Sequence, residues 1–260
     1  PRLLPIEDED VSAELEKVFR KRKIKALTET ALESAEVTDS GVNLRLRKKN
    51  GNEEQLEAEV LLVAVGRAPV SAGIGLEELG VRIERGYIEV NEFMQTAVPH
   101  IYAIGDVVNT PWLAHVASSE GILAAEHMAG QAARPLNYDL VPSCTYCEPE
   151  VASVGLTEAA ARERGYDVVT GKFPFSALGK AAILRHTEGF VKVVREAQYD
   201  EILGVHIIGA HATDLIAEAC VALQVESTTE ELFRTMHAHP TLSEAVMEAA
   251  HAAYGHSIHF

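Results

Sequence analysis

The residues best equipped for chemistry stand late in the chain, in His237-Ala238-His239-Pro240-Thr241-Leu242-Ser243-Glu244. A residue before proline is kept out of the right-handed helical region by a clash with the ring. His239 is therefore predicted at a stiff, extended corner with its imidazole aimed, not lying on a helix face. Five residues on, Glu244 opens the amphipathic run Ala245, Val246, Ala249, Ala250, Ala253. A carboxylate on that first turn can fold back to the corner and fix the ring's tautomer, which is how a general base is oriented. The same letters have a purely structural reading. Thr241-x-x-Glu244 spells a capping box, in which Thr241 caps the last helix and Glu244 returns to the cap's N–H. Spacing alone leaves both readings open.

A second group of candidates lies earlier. Ile101-Tyr102-Ala103-Ile104-Gly105-Asp106 reads as a short apolar strand ending in Gly, which lets a ligand approach the backbone, followed by a carboxylate able to accept from adjacent hydroxyls. A plain Gly-Asp turn is the alternative. Pro111-Trp112-Leu113-Ala114-His115 begins a helix running to about residue 128, whose free N–H groups and positive dipole end suit negative charge. Glu59-Val60-Leu61-Leu62-Val63-Ala64-Val65-Gly66-Arg67 is a continuous apolar run ending in Gly. It reads as a fully buried parallel strand whose C-terminal end faces a ligand crevice. Gly73-x-Gly75 is followed by its third glycine two places too late for a dinucleotide fingerprint, so these glycines read as a loop and a helix end. Cys144-x-x-Cys147 sits in a strand-like run, not at a helix N-terminus where a thiol pKa would be lowered, so it reads as structural. No second ligand pair stands at metal-binding spacing.

The elements that must carry these residues follow from pattern. A helix over about 9–23 precedes a three-strand passage with Asn50-Gly51 in one turn. The expected class is α/β nucleotide-binding segments with a parallel sheet, followed by an α+β domain with an antiparallel sheet, because strand-like runs at 190–195 and 202–208 precede helical patterns at 213–224, 228–236 and 243–254. The 260 residues hold 39 acidic against 23 basic side chains, a net charge of −16, which disfavours nucleic acid and favours solubility or a basic protein partner. No apolar run is long enough to span a membrane. Three cysteines, too few and odd in number for a disulfide framework, imply a reducing, cytoplasmic setting.

The string HAHPTLSEA resembles the C-terminal signature of the flavin-dependent disulfide oxidoreductases, and among them most closely that of the dihydrolipoyl dehydrogenases. T-x5-Y-A-x-G-D at Thr96–Asp106 is similar to their second flavin-binding signature. Val141-Pro142-x5-Glu148-Pro149-Glu150 and Gly204-x-His206-Ile207-Ile208-Gly209 resemble their interface domain. Cys147 stands where threonine is usual, and His211 where glycine or a small polar residue is common.

The resemblance implies that His239 exchanges a proton with a dithiol and that Glu244 orients it. It implies that Gly105 and Asp106 hold a flavin's ribityl chain, that the helix start at Leu113 and Ala114 faces the flavin's N1/O2 edge, and that Gly66 and Arg67 lie where a nicotinamide-nucleotide domain returns to the flavin domain. The implied domains are 1–67, the latter half of an NAD-binding domain; 68–136, the returning segment of an FAD-binding domain; and 137–260, for dimerisation. The implied activity is oxidation of protein-bound dihydrolipoyl groups through FAD to NAD, in a homodimer serving the lipoyl-bearing acyltransferase of a 2-oxo acid dehydrogenase complex. A glutathione-reductase-like enzyme and a non-catalytic dimerisation module are the alternatives. The 260 residues contain no G-x-G-x-x-G and no C-x4-C pair, so they are expected to be the C-terminal portion of such an enzyme and inactive by themselves.

Overall fold

The computed structural model describes residues 1–260. Contacts divide them into two compact units, Pro1–Leu61 with Asp139–Phe260, and Leu62–Tyr138.

In the first unit, α1 (Glu9–Lys21) begins at Asp8, whose side chain accepts from the Asp10 amide. Acidic residues fill its first turn and Arg20 and Lys21 its last, matching both ends of the helix dipole. Val11, Leu15 and Val18 form its buried stripe. Strands β1 (Thr30–Thr38), β2 (Gly41–Lys48) and β3 (Glu53–Ala58) make an antiparallel meander. The expected Asn50-Gly51 turn joins β2 to β3, with Gly51 at φ +86° and the Asn50 side chain accepting from the Asn52 amide.

The sequence predicts a buried parallel strand over 59–67, and the structure corrects this. The segment pairs with nothing, Val60, Leu62 and Val65 are 81%, 84% and 94% exposed, and every strand pair in the chain is antiparallel. A buried parallel strand needs a ladder on each edge and a cover on each face. No other segment of these residues supplies either.

The second unit holds a small hairpin of β4 (Ile83–Glu84) and β5 (Tyr87–Ile88), turned by Arg85 and Gly86 at positive φ. The expected strand before Gly105 is reduced to a single bridge, Gln95 to Tyr102, followed by a 3-10 turn over Gly105–Val107. Too little chain runs beside it to build a ladder. Helix α2 (Ala114–Met128) packs Val116, Leu123 and Ala124 inward.

The rest of the first unit runs β6 (Ser143–Thr145), β7 (Glu150–Gly155), α3 (Glu158–Glu163), β8 (Val168–Pro174), α4 (Gly179–Leu184), β9 (Phe190–Glu196), β10 (Ile202–Gly209), α5 (Ala212–Gln224), α6 (Thr229–Arg234) and α7 (Glu244–Ala252). The antiparallel sheet anticipated here is present, in the order β6-β7-β10-β9-β8. Phe173, Val191, Val193 and Ile207 on one face bury against α5, α6 and α7. Such side chains contribute about 1.5–3 kcal/mol each when fully buried.

The other face carries α1, through Val11 and Leu15 on Val151, Phe190 and Ile208. Lys192, buried on β9, clamps that face with its ammonium 2.9 Å from Asp8, 2.9 Å from Asp10 and 2.8 Å from Glu158. Burial opposes its charge, yet three carboxylates hold its pKa above the ordinary lysine value.

Candidate active site

His239 and Glu244 come together as the pattern predicts. Nδ1 of His239 lies 2.8 Å from Oε1 of Glu244. The imidazole is 75% exposed and the carboxylate only 10%, so the anchoring end is fixed in the protein and the working end faces outward. Glu244's other oxygen accepts the Thr241 amide at 2.8 Å. One carboxylate thus orients the ring and closes half of a capping box. The other half is absent. Thr241 turns its hydroxyl to the Ala238 carbonyl at 2.6 Å and meets the Ser243 hydroxyl at 3.0 Å, and Ser243 stands at the N-cap of α7 with no side-chain capping bond to the helix. Burial opposes ionisation of Glu244, but the Thr241 amide, the His239 hydrogen bond and the charges of His239 and His259 outweigh it and hold the carboxyl below its ordinary value.

Donation from Nδ1–H to Glu244 leaves the Nε2 lone pair of His239 as the proton acceptor. An oriented imidazole of this kind takes a proton from a weak acid such as a thiol and keeps it while the thiolate reacts. The neighbouring His237 is deeply placed instead. Its Nε2 is 2.6 Å from Glu218 and its Nδ1 is 2.8 Å from the Thr235 carbonyl. Glu218's hydrogen bond raises its pKa against the opposing effect of burial.

In the other unit Arg67 and Asp106 meet at 2.7 Å, and the same guanidinium donates to the Trp112 carbonyl at 2.8 Å while lying over the Trp112 ring. The Gly-Arg and Gly-Asp motifs are therefore stitched together beside Leu113, the N-cap of α2, and Ala114, its first residue. Gly66 lies exposed on the unpaired segment, with open space where a side chain would begin. Gly105 has φ +70°, and a Cβ there would press on Ala117 at 3.3 Å.

Sequence reasoning missed Glu120. It is fully buried, accepts the Gly105 amide at 2.7 Å and accepts the Tyr138 hydroxyl at 3.0 Å, so it fixes the loop that carries Asp106. Burial, then Glu120, pushes the Tyr138 phenol above its ordinary range. A carboxylate on the apolar stripe of α2, between Val116 and Leu123, was the available signal. Cys144, Cys147 and Cys220 are free thiols whose pKa values burial raises, which keeps them protonated and poorly nucleophilic. No cluster of three or more His, Cys, Asp or Glu side chains is arranged to hold a metal ion.

Residues 1–121 match the family model described as pyridine nucleotide-disulphide oxidoreductase, and residues 141–250 match the model of that family's dimerisation domain. A dihydrolipoyl dehydrogenase from Bacillus subtilis is 47% identical over 260 residues, which are 100% of this chain and 55% of that protein. Another from Zymomonas mobilis is 45% identical over 261 residues, covering 100% of this chain and 56% of its own length. The chain thus spans about half the length of the curated relatives it matches. Among solved structures, LpdA from Mycobacterium tuberculosis matches with a TM-score of 0.85 at 28% identity, over 95% of this chain and 53% of that one. The HOCl-induced flavoprotein disulfide reductase RclA from Escherichia coli shares the fold, with a TM-score of 0.86 at 23% identity over 95% of this chain and 56% of that one.

Proposed function

The chain belongs to the pyridine nucleotide-disulphide oxidoreductases, and from that premise we propose that it forms the C-terminal part of a dihydrolipoyl dehydrogenase in which His239 moves the proton of dithiol–disulfide exchange. The observation that carries this reading is the 2.8 Å contact between His239 Nδ1 and Glu244 Oε1, which leaves Nε2 outward on an exposed ring. In the forward direction His239 accepts the proton of one thiol of a dihydrolipoyl group. The thiolate attacks a protein disulfide, the second thiol closes the substrate's own disulfide, and the protein dithiol carries away the two electrons. The charge that develops on His239 is stabilised by Glu244, which remains ionised. The 260 residues hold no C-x4-C pair, so the exchanging disulfide belongs to residues outside them.

FAD and NAD are the proposed cofactors. Residues of this chain fit the first. Gly105 offers a backbone without Cβ, Asp106 an exposed carboxylate, and α2 an N-terminus with no side-chain cap at Leu113 and Ala114. Asp106 would accept from ribityl hydroxyls and the α2 amides would face negative charge. A bound flavin supplies the two-electron route from the protein dithiol to a pyridine nucleotide. In this reading Arg67 and Glu120 hold Asp106 and Gly105 for that group, and the partners are a second copy of the chain and a lipoyl-bearing acyltransferase.

Steady-state turnover of the full-length, FAD-loaded enzyme tests the proposal. His239→Gln is expected to lose on the order of 10²–10⁴-fold with dihydrolipoamide, the usual worth of a positioned acid/base. Glu244→Gln is expected to lose less, because Glu244 orients the ring and does not itself transfer the proton; the amide's single oxygen accepts from only one of the two donors, His239 Nδ1–H and the Thr241 N–H, and the uncharged group no longer stabilises the imidazolium. A Glu244→Gln enzyme with a lowered melting temperature and unchanged turnover would return Glu244 to a capping role and refute the orienting one.

A further inference from the structure

Helix α7 carries a second carboxylate one turn beyond the first. Glu244 and Glu248 stand at i and i+4, so they share a face of the helix. Glu248 is fully buried but not stranded. Its Oε1 is 2.5 Å from His259 Nδ1, and its Oε2 accepts the Ile258 amide at 2.8 Å. Phe260 follows, edge-on to the buried Phe173 ring with centroids 6.3 Å apart. Residues 258–260 are thereby pinned back over α7, and a half-exposed imidazole is delivered to the face that carries Glu244. The charge of His259 already contributes to holding the Glu244 carboxyl down.

We propose that Glu248 and His259 are positioning residues for the His239–Glu244 pair, forming a second carboxylate–imidazole pair whose net charge sets the pH at which the first pair takes up and releases its proton. The proposal rests on the reading of His239 as the acid/base.

Other ionisable groups also face these carboxylates: the charge of Glu248 acts on His251, whose buried Nδ1 has no hydrogen-bond partner, and that of Glu244 acts on His237. His251, one turn on, lies against Phe233 of α6, with its pKa lowered by burial, and His256 lies near its ring. Arg234 of α6 is bound to Glu230, and Glu218 of α5 to His237. Beneath α7, β8 and β9 present Phe173, Val191 and Val193, while Arg195 is engaged by Asp200 and the Ala253 carbonyl. His259 is therefore the imidazole hydrogen-bonded to the carboxylate nearest Glu244 along the helix.

The charge logic gives opposite signs for two substitutions. His259→Gln keeps a hydrogen-bonding group but leaves Glu248 as a fixed negative charge, which favours the protonated form of the His239–Glu244 pair. Glu248→Gln removes the negative charge and leaves the His259 imidazole without it, which disfavours the protonated form.

The test is the pH profile of kcat/KM for dihydrolipoamide in the full-length, FAD-loaded enzyme. The apparent pKa is expected to rise by about 0.3–0.5 in His259→Gln and to fall by a similar amount in Glu248→Gln, the scale of a unit charge acting over one helical turn near a wet surface. A loss of packing alone would lower the rate or the melting temperature without displacing the two profiles in opposite directions. Should Glu248→Gln fail to fold, the upward displacement in His259→Gln, at an exposed position, decides the matter. His239→Gln serves as the control. If it abolishes dithiol turnover while both profiles coincide with wild type, this inference is overturned and the proposed function stands. If it leaves dithiol turnover intact, the proposed function falls and this inference falls with it.

Discussion

His239 and His237 stand two residues apart, each hydrogen-bonded to a carboxylate, yet burial sends them to different tasks. The His239 side chain is 75% exposed and the His237 side chain 5%. An exposed ring with one nitrogen anchored can meet a substrate, whereas His237, with both nitrogens engaged, can only hold structure. The His237–Glu218 bond carries its own pH signature. Because Glu218 raises the native pKa of His237 above the ordinary 6.5, the pair's stabilisation is fully present below 6.5 and is lost as pH rises through the raised native value. Glu218→Gln is expected to destabilise the protein by about 1–2 kcal/mol at pH 6, the scale of a charge-assisted hydrogen bond. Denaturant melts should show the deficit shrinking above that window, and a deficit that is constant from pH 6 to 9 would contradict the assignment. At this scale the sequence was informative where a backbone rule acts. His-Pro and the five-residue step to Glu244 located the pair, whereas Glu120 showed only as a carboxylate on an apolar stripe and nothing local revealed Glu218 or Glu248 as anchors, because the partners of all three come from turns and segments 10 to 19 residues away.

Glu244 is only as well placed as the helix that begins with it. Helix α7 lies close on β8 because Gly171 has no side chain. A Cβ there would fall 2.1 Å from the Ala249 carbonyl oxygen and 2.3 Å from the Ala253 nitrogen, both backbone atoms that cannot swing aside. Gly171→Ala is accordingly expected to destabilise by about 1–3 kcal/mol, the range for forcing extra volume into a packed core. It should also lower dithiol turnover by displacing the start of α7, with the flavin spectrum unchanged. Unaltered melting temperature and turnover would show that α7 is not fixed in this way. Helix and antiparallel-strand patterns were legible from residues 190 to 254 because each element there finds its partners within 139–260, whereas the short elements between 150 and 184 were not. The run at 59–67 misled for the opposite reason. Its apolar letters specify a position buried on both faces, and the neighbours such a position requires are not among these residues, so Val60, Leu62 and Val65 face water.

Across the whole chain, the proposed acid/base pair and the residues proposed to hold a cofactor fall in two compact units, with His239 and Glu244 in one and Arg67, Gly105 and Asp106 in the other. The division explains why motif resemblance identified more of the site than composition or periodicity did. Each unit carries only some of the groups the proposed reaction uses, so periodicity within a unit says little about their roles. The net charge of −16 bears on the proposed acyltransferase partner. Association steered by that charge is expected to slow and weaken as ionic strength rises, measurable by surface binding kinetics from about 0.05 to 0.5 M salt, and salt-independent association would exclude steering. The central claim, that His239 moves the proton of dithiol–disulfide exchange, is tested most directly by single-turnover flavin reduction in the full-length enzyme. Stopped-flow absorbance should show His239→Gln reduced by dihydrolipoamide on the order of 10²–10⁴-fold more slowly than wild type, with reduction by NADH unchanged because that step uses neither His239 nor a thiol proton. Equal rates of dihydrolipoamide-driven reduction in the two proteins would contradict it.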